Sequence, residues 1–491
     1  MVYGVPKPRL LLERFLVNKM QIKLSGYNVD ANLLKLNSIA TDALTPETLS
    51  AAYARISRDP RPINELRDDA IDDVVKARAT NENIVFGLGH ASVAEHAVFN
   101  FDIMGVSRLA IEAIEHARLC SYTEKSQRYI KLQDDYVVPT EVVEIGLEEE
   151  FRELITKQNV TYQILLDGIS NHLTDKNPNA TKEELKLIKE KAKEDARYVT
   201  SLAVEGQLGM TCNARNLEYM IKRLLSNQLA EIREIGNALY NEVKDVAPSL
   251  IKYVKSEQLY LYVPKILMEP QEAHQNLLSC SGSEDMVMAT LLHSNTNLDM
   301  AHSDNIWRQT STHQRKCFLR TIFEPLQPWD AMPREFELLD FTFELAISAS
   351  CFAQLKRHRM ATLLPQAYNP SLGYTIPQTV KEAGLEDLFM KIMSDSEKLY
   401  YTLLCRPFVA PYVLTQAHRR RVVVKMNARE LYHFARLRLD RHAQWDIREI
   451  ANQMISMAKE RCPMVMALAC GKDVFQQQKE ELLEKLADSE V

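Results

Sequence analysis

Arg357-His358-Arg359, with Gln354 three residues earlier, brings two guanidiniums, an imidazole and an amide within one or two helical turns, a set able to hold an anion. The same basic triplet would also serve as a solvated helix face. Glu124-Lys125-Ser126-Gln127-Arg128 gathers a hydroxyl, an amide and two cations in one short loop, the donor types that suit a compact dianion. Arg438, His442 and Trp445 fall at i, i+4 and i+7, one face of a continuous helix. On a straight helix Arg429 and His433 would point nearly the opposite way, so the two sets serve different ligand surfaces or the helix bends. His90, Glu95 and His96 are metal-ligating types, but H-x-x-x-x-E-H is not the H-E-x-x-H spacing, and no metal site is expected. Gly87-Leu88-Gly89 is followed by Ser92 where a dinucleotide fingerprint needs its third glycine, so a Rossmann loop is not expected. Arg419-Arg420-Arg421 reads as surface charge, with a phosphate contact as the lesser alternative.

The elements that must position these residues are mostly helical. Only 14 glycines occur in 491 residues, which disfavours glycine-dependent phosphate loops and favours long helices. The spacing predicts helices over Glu144–Ser170 and Lys182–Gly206, joined at Asn177-Pro178-Asn179 and restarted by a capping box at Thr181 and Glu184. Helical spacing also covers Asn213–Val246 and Asn427–Leu468, and Pro248, Pro264 and Pro270 punctuate the gap before the second half. Phe99–Ile103 and Phe341–Leu345 alternate apolar and polar residues and read as strands, each running directly into a helix. The fold class expected is α/β (α+β), a mixed sheet with long helices.

An internal repeat organises these elements. F-N-F-D-I at Phe99 pairs with F-T-F-E-L at Phe341, 242 residues later, and N-A-R-N-L at Asn213 pairs with N-A-R-E-L at Asn427, 214 residues later. The 28-residue difference fits a helical hairpin around Asn177 that the second copy lacks. The division expected is residues 1–255 and 256–491.

With the repeat in view, the chain resembles the flavin-dependent thymidylate synthases. That family has a G-H-x-x-x-x-E-H segment, an R-H-R signature followed after seven residues by Ser, an A-R-Y-V-L-P-like stretch and a final N-x-R helix. The first copy matches the opening segment with Gly89-His90 and Glu95-His96, and its signature reads His116-Ala117-Arg118, then Ser126. The second copy keeps Arg357-His358-Arg359 but has Ala367 at the Ser position, and its opening segment is degraded over Asp330–Phe336. The losses are complementary. Ser126 and Arg197 of the first copy correspond to Ala367 and Pro411, whereas Gln354, Arg357 and Arg438 of the second correspond to Ala113, His116 and Leu224 or Leu225.

The resemblance implies two copies of the family fold and one composite site. It assigns dUMP to Gln354, Arg357, Glu124, Lys125, Ser126, Gln127, Arg128, Arg197 and Arg438, with Arg438 as the catalytic cation that stabilises charge on the uracil. It assigns FAD to Ser92, Glu124, Arg357, His358, Arg359, Asn427, Arg429, His433 and His442, with His442 as a flavin or folate neighbour. Methylenetetrahydrofolate would donate the carbon, NADPH the reducing equivalents, and two chains would form a homodimer imitating the family's tetramer. A related enzyme acting on another pyrimidine nucleotide, and a catalytically silent nucleotide-binding homologue, are the alternatives.

Composition sets outer bounds. A net charge of −6 disfavours a general nucleic-acid binder, and 46% apolar content is enough for sizeable cores. The eight cysteines follow no framework spacing, which suits reduced thiols in a cytoplasm. No apolar run approaches the roughly 20 residues of a bilayer span, so neither membrane nor export is expected.

Overall fold

The computed structural model describes residues 20–35, 41–126, 135–255 and 274–487, so Gln127 and Arg128 lie outside the described residues. The chain divides into two compact units, Met1–Leu267 with Ile376–Gln416, and Met268–Thr375 with Ala417–Val491. Unit 1 holds a four-stranded sheet of β1 (Gln21–Tyr27), β2 (Val98–Ser107), β3 (Cys120–Glu124) and β4 (Glu205–Asn213) in the order β1-β2-β4-β3. Unit 2 repeats it with β5 (Asn276–Ser281), β6 (Asp340–Ser348), β7 (Thr362–Pro365) and β8 (Arg419–Asn427), ordered β5-β6-β8-β7. The α+β class therefore holds in two copies. The sheets are antiparallel in every pairing, not mixed, because each connection delivers the next strand from the opposite end rather than crossing back to a parallel neighbour.

The strands β2 and β6 form where alternation was legible. Phe99, Phe101 and Ile103 of β2 are buried while Asn100 and Asp102 face out, and Phe341, Phe343 and Leu345 are buried in the same way in β6. Register makes the repeat geometric: Val98 faces Asn213 and Asp340 faces Asn427, which reproduces the spacings of 242 and 214. The 28-residue difference has identifiable sources. Gly105, at φ 70°, sits in a register break between Met104 and Val106 that β6 lacks, and the spacing then falls to 241, since Ser121 faces Thr211 as Thr362 faces Lys425. A residue with a side chain would be strained at that bulge. Farther on Gly146 and Gly384 are 238 apart, and the remaining step to 214 falls on the helices. The first copy has a 28-residue helix, Glu148–Asp175, and a second, Lys182–Ala196; the second copy has one 17-residue helix, Glu386–Thr402.

Thr181 and Glu184 form the expected capping box, but the helix they start ends at Ala196. The chain turns through the 3-10 segment Arg197–Val199 and enters β4 at Glu205, so Gly206 is in a strand. The stretch Asn427–Leu468 is also interrupted. One helix spans Ala428–Arg438 and the next Trp445–Arg461. Between them Asp440 Oδ1 accepts from the His442 N–H at 2.9 Å, and Gln444 Oε1 accepts from the N–H groups of Asp446 and Ile447, starting a new helix. Arg438, His442 and Trp445 thus do not form one helical face. Arg420 departs from the surface-charge reading: strand alternation turns it inward, its guanidinium lies 4.7 Å from the Phe352 ring centre and 4.2 Å from that of Tyr368, and its Nε donates to Gln366 O at 2.7 Å.

Within unit 1 the helix Glu386–Thr402 packs on Glu148–Asp175. Gly168 permits a close approach there, since a Cβ would lie 2.7 Å from Leu385 Cδ1. Among the described residues no helix is long and apolar enough to cross a membrane.

Candidate active site

In unit 2 the turn from β6 into the helix Ala349–Leu355 is fixed at Ser348. Its Oγ accepts from Cys351 N at 2.9 Å and its hydroxyl donates to Asp446. Gln354 lies near the end of this helix, and the following turn alternates exposed Arg357, buried His358 and exposed Arg359. Arg438, the last residue of its helix, closes on this turn. Its Nε donates to His358 Nε2 at 2.9 Å, Nη1 to Gln354 Oε1 at 3.2 Å and Nη2 to Gln354 O at 3.0 Å.

These contacts fix the imidazole's state. A guanidinium Nε–H only donates, so His358 Nε2 must carry a lone pair and the ring is neutral with its proton on Nδ1. Nδ1 has no hydrogen-bond partner among the described residues; Glu430 Oε1 lies 3.7 Å away. Burial pushes the His358 pKa below its ordinary value, Arg438 and His433 push the same way, and Glu430 opposes them. His433 and Phe434 meet the His358 ring edge to face at 5.9 and 4.8 Å. His358 therefore joins His433 to Arg438, two residues that a straight-helix reading set apart.

Other expected flavin contacts carry structural duties. Asn427 Oδ1 caps its helix by accepting from Glu430 N at 2.8 Å, as Asn213 caps the matching helix at Asn216. Arg429 donates to Met332 O at 2.7 Å and pairs with Glu337 at 3.1 Å. Its counterpart Arg215 pairs with Glu95 at 2.6 Å. Glu337 is thus the counterpart of Glu95, one residue beyond the stretch read as degraded, and the second copy has kept this acid. His442 is exposed in the interhelical loop, its Nε2 accepting from Arg441 Nε at 3.3 Å. Ser92 is exposed on the 3-10 segment Ala91–His96.

Unit 1 carries the serine loop. Glu124, at the end of β3, is paired with Arg108, and both side chains are almost fully buried. Lys125 N donates to Gln207 O at 2.9 Å and Ser126 follows; in unit 2 Gln366 N donates to Arg421 O at 2.9 Å and Ala367 follows. Ser126 and Ala367 therefore hold the same place in the register. Arg197 is buried and opens a 3-10 turn, and Pro411 lies in the matching turn Ala410–Val413.

Two contacts at the candidate site escaped the sequence. The Arg108–Glu124 pair joins residues 16 apart across a helix and a loop, with no local pattern to signal it. Arg223 is buried and donates to Ala113 O, the position matching Gln354, whose carbonyl accepts from Arg438. The first copy has therefore kept a guanidinium at that carbonyl, where alignment suggested only Leu224 or Leu225. It lacks the rest of the set, with Ala113 and Ala117 in place of Gln354 and His358. Burial, then Arg223 and Arg118, push the His116 pKa down. Among the described residues no cluster could hold a metal ion.

Residues 40–249 and 276–464 match the family described as thymidylate synthase complementing protein, one segment in each copy, and the chain belongs to that family. It is 33% identical over 219 residues to a flavin-dependent thymidylate synthase of Clostridium tetani, covering 42% of this chain and 82% of the relative. A UPF0159 protein of Thermoplasma acidophilum, Ta1429, is 24% identical over 433 residues, covering 77% of this chain and 86% of that protein. Among solved structures, the UMP/dUMP methylase PolB of Streptomyces cacaoi bound with 5-Br dUMP matches at 17% identity and a TM-score of 0.34, covering 41% of this chain and 97% of that one.

Proposed function

We propose that the chain is a flavin-dependent thymidylate synthase that converts dUMP to dTMP, with the residues of one working site divided between the copies 1–255 and 256–491. The observation that supports this most is the Gln354–Arg438–His358 contact set, against Ala113 and Ala117 at the matching first-copy positions. The Ser126 and Ala367 positions carry the reverse pattern. On this reading Glu124, Lys125, Ser126, Gln127, Arg128 and Arg197, with Gln354 and Arg357, bind dUMP.

The residues fit FAD by their chemistry: Arg357 and Arg359 offer guanidiniums suited to a pyrophosphate, and His358 Nδ1 is an orphaned buried donor. Ser92, Glu124, Arg357, His358, Arg359, Asn427, Arg429, His433 and His442 would hold it, and when bound it supplies the hydride, with methylenetetrahydrofolate giving the carbon and NADPH the electrons. Three hydrogen bonds hold Arg438 in one orientation, so its charge is in place for a uracil anion without reorganisation. Neutral His358 orients this cation without repelling it.

Protein supplied with FAD, NADPH, methylenetetrahydrofolate and either dUMP or UMP tests the reading. We expect dTMP from dUMP and little product from UMP. Flavin-loaded protein that makes no dTMP would contradict it.

A further inference from the structure

In unit 2, the helix Trp445–Arg461 and the segment 469–478 enclose a half-open cavity of about 580 Å³. None of its lining residues belongs to the dUMP or FAD set. Trp445, Glu449, Asn452, Ser456 and Lys459 recur every three or four residues along one helix face. From Trp445 to Lys459 this face is about 21 Å long. Ile455, Leu439, Ala469 and Val474 add apolar surface.

Lys459 stands out on this lining. Among the described residues it makes no hydrogen bond or ion pair, and burial pushes its pKa down. The groups facing it do not balance its charge. Lys485, from the helix Phe475–Ala487, repels it. Cys470 is pushed up to about 11 by burial, so its thiol stays neutral at neutral pH. Glu449 is the one carboxylate of the lining, about 15 Å away along the helix, and it accepts from Gln453 at 2.9 Å. A partly desolvated ammonium that faces a cavity without a counter-charge favours an anionic guest.

We propose that this cavity binds a small organic anion, its carboxylate or phosphate on Lys459 and a flat apolar body against Ile455 and Val474. Leu439, on the cavity wall, directly follows Arg438, so an occupant touches the end of the helix that carries the proposed catalytic cation. The site stands independently of the thymidylate synthase reading.

Calorimetric titration of the full chain, saturated with FAD and dUMP to fill any nucleotide site, tests this with benzoate, phenyl phosphate and neutral benzyl alcohol. The two anions separate a carboxylate from a phosphate preference. Both, or one, should bind at least about tenfold more tightly than the alcohol, and Lys459→Gln should remove that advantage while Lys459→Arg retains it. Asn452→Trp, on the exposed helix face, should fill the cavity and abolish binding of all three probes. Equal anion affinity in Lys459→Gln, or anion binding unaffected by Asn452→Trp, would overturn the proposal. So would the absence of binding by both anions to the folded protein. The readout is heat of binding, so a protein that makes no dTMP would leave this test intact.

Discussion

Gln158 donates a hydrogen bond to Ser396 at 2.8 Å, and the two residues are 238 apart, the same spacing that separates Gly146 from Gly384 and Leu147 from Leu385. They are counterparts in the two copies, touching each other. Such a contact lies on a local two-fold axis, as at the centre of an isologous dimer interface. The bridge between Ser201 and Thr415, 214 apart, is a second contact of this kind in unit 1. Helices from the two copies thus meet within one chain as the matching helices of two subunits would.

Gln158 also donates to Val413 O at 2.9 Å. Gln158→Leu leaves that buried carbonyl without this donor and should lower unfolding stability by about 1–3 kcal/mol. Scanning calorimetry would show the lower Tm; an unchanged Tm would mean that the contact contributes little.

His358 gives a pH dependence with a definite sign. Its folded pKa is depressed, so its contribution to stability is full above the ordinary imidazole value of about 6.5 and is lost as pH falls through the folded value. Protonation also removes the acceptor for Arg438 Nε and sets two cations together. Glu430→Gln removes the carboxylate that favours the charged ring, so the folded pKa should fall further and the acid-side loss of stability should deepen and extend to lower pH. Denaturant unfolding across pH 4–8, about the range in which an imidazole titrates, would show it; a shallower loss that ends at higher pH would contradict the assignment.

Much of this was legible in the sequence where the pattern was local. The Phe99 and Phe341 strands alternate cleanly, and the Thr181–Glu184 capping box needs only four residues. The Asn213 and Asn427 repeats marked equivalent helix starts, which the register matches, but not the strands that lead into them. What stayed hidden depends on contacts distant in sequence. The break after Arg438 has no glycine or proline to mark it, being made by side-chain caps at Asp440 and Gln444. Arg419–Asn427 opens with three arginines and is still a central strand, because Phe352 and Tyr368 cover Arg420. The packing of Ile376–Gln416 within unit 1 has no local signature.

If the flavin contacts form one complete set, purified protein should bind about one FAD per chain. Absorbance after denaturation, against protein concentration, measures it. Two flavins per chain would contradict the division between copies.

Ala367→Ser restores a hydroxyl at the register position of Ser126, yet the second copy still has Pro411 where the first has Arg197. Its rate of dTMP formation should stay within about twofold of the parent, because one hydroxyl supplies only part of a phosphate site. A large gain would show that the second loop can serve substrate.

The most direct test of the divided site compares Arg438→Met with Arg223→Met, because both arginines donate to matching carbonyls and only Arg438 has Gln354 and His358 beside it. The measurement is the rate of dTMP formation per bound FAD at saturating dUMP, which corrects for any fraction misfolded. Arg438→Met should lose about 100-fold or more, the scale of removing one pre-placed charge donor, while Arg223→Met stays near the parent rate. Equal losses in the two variants, or near-normal turnover in Arg438→Met, would contradict the account.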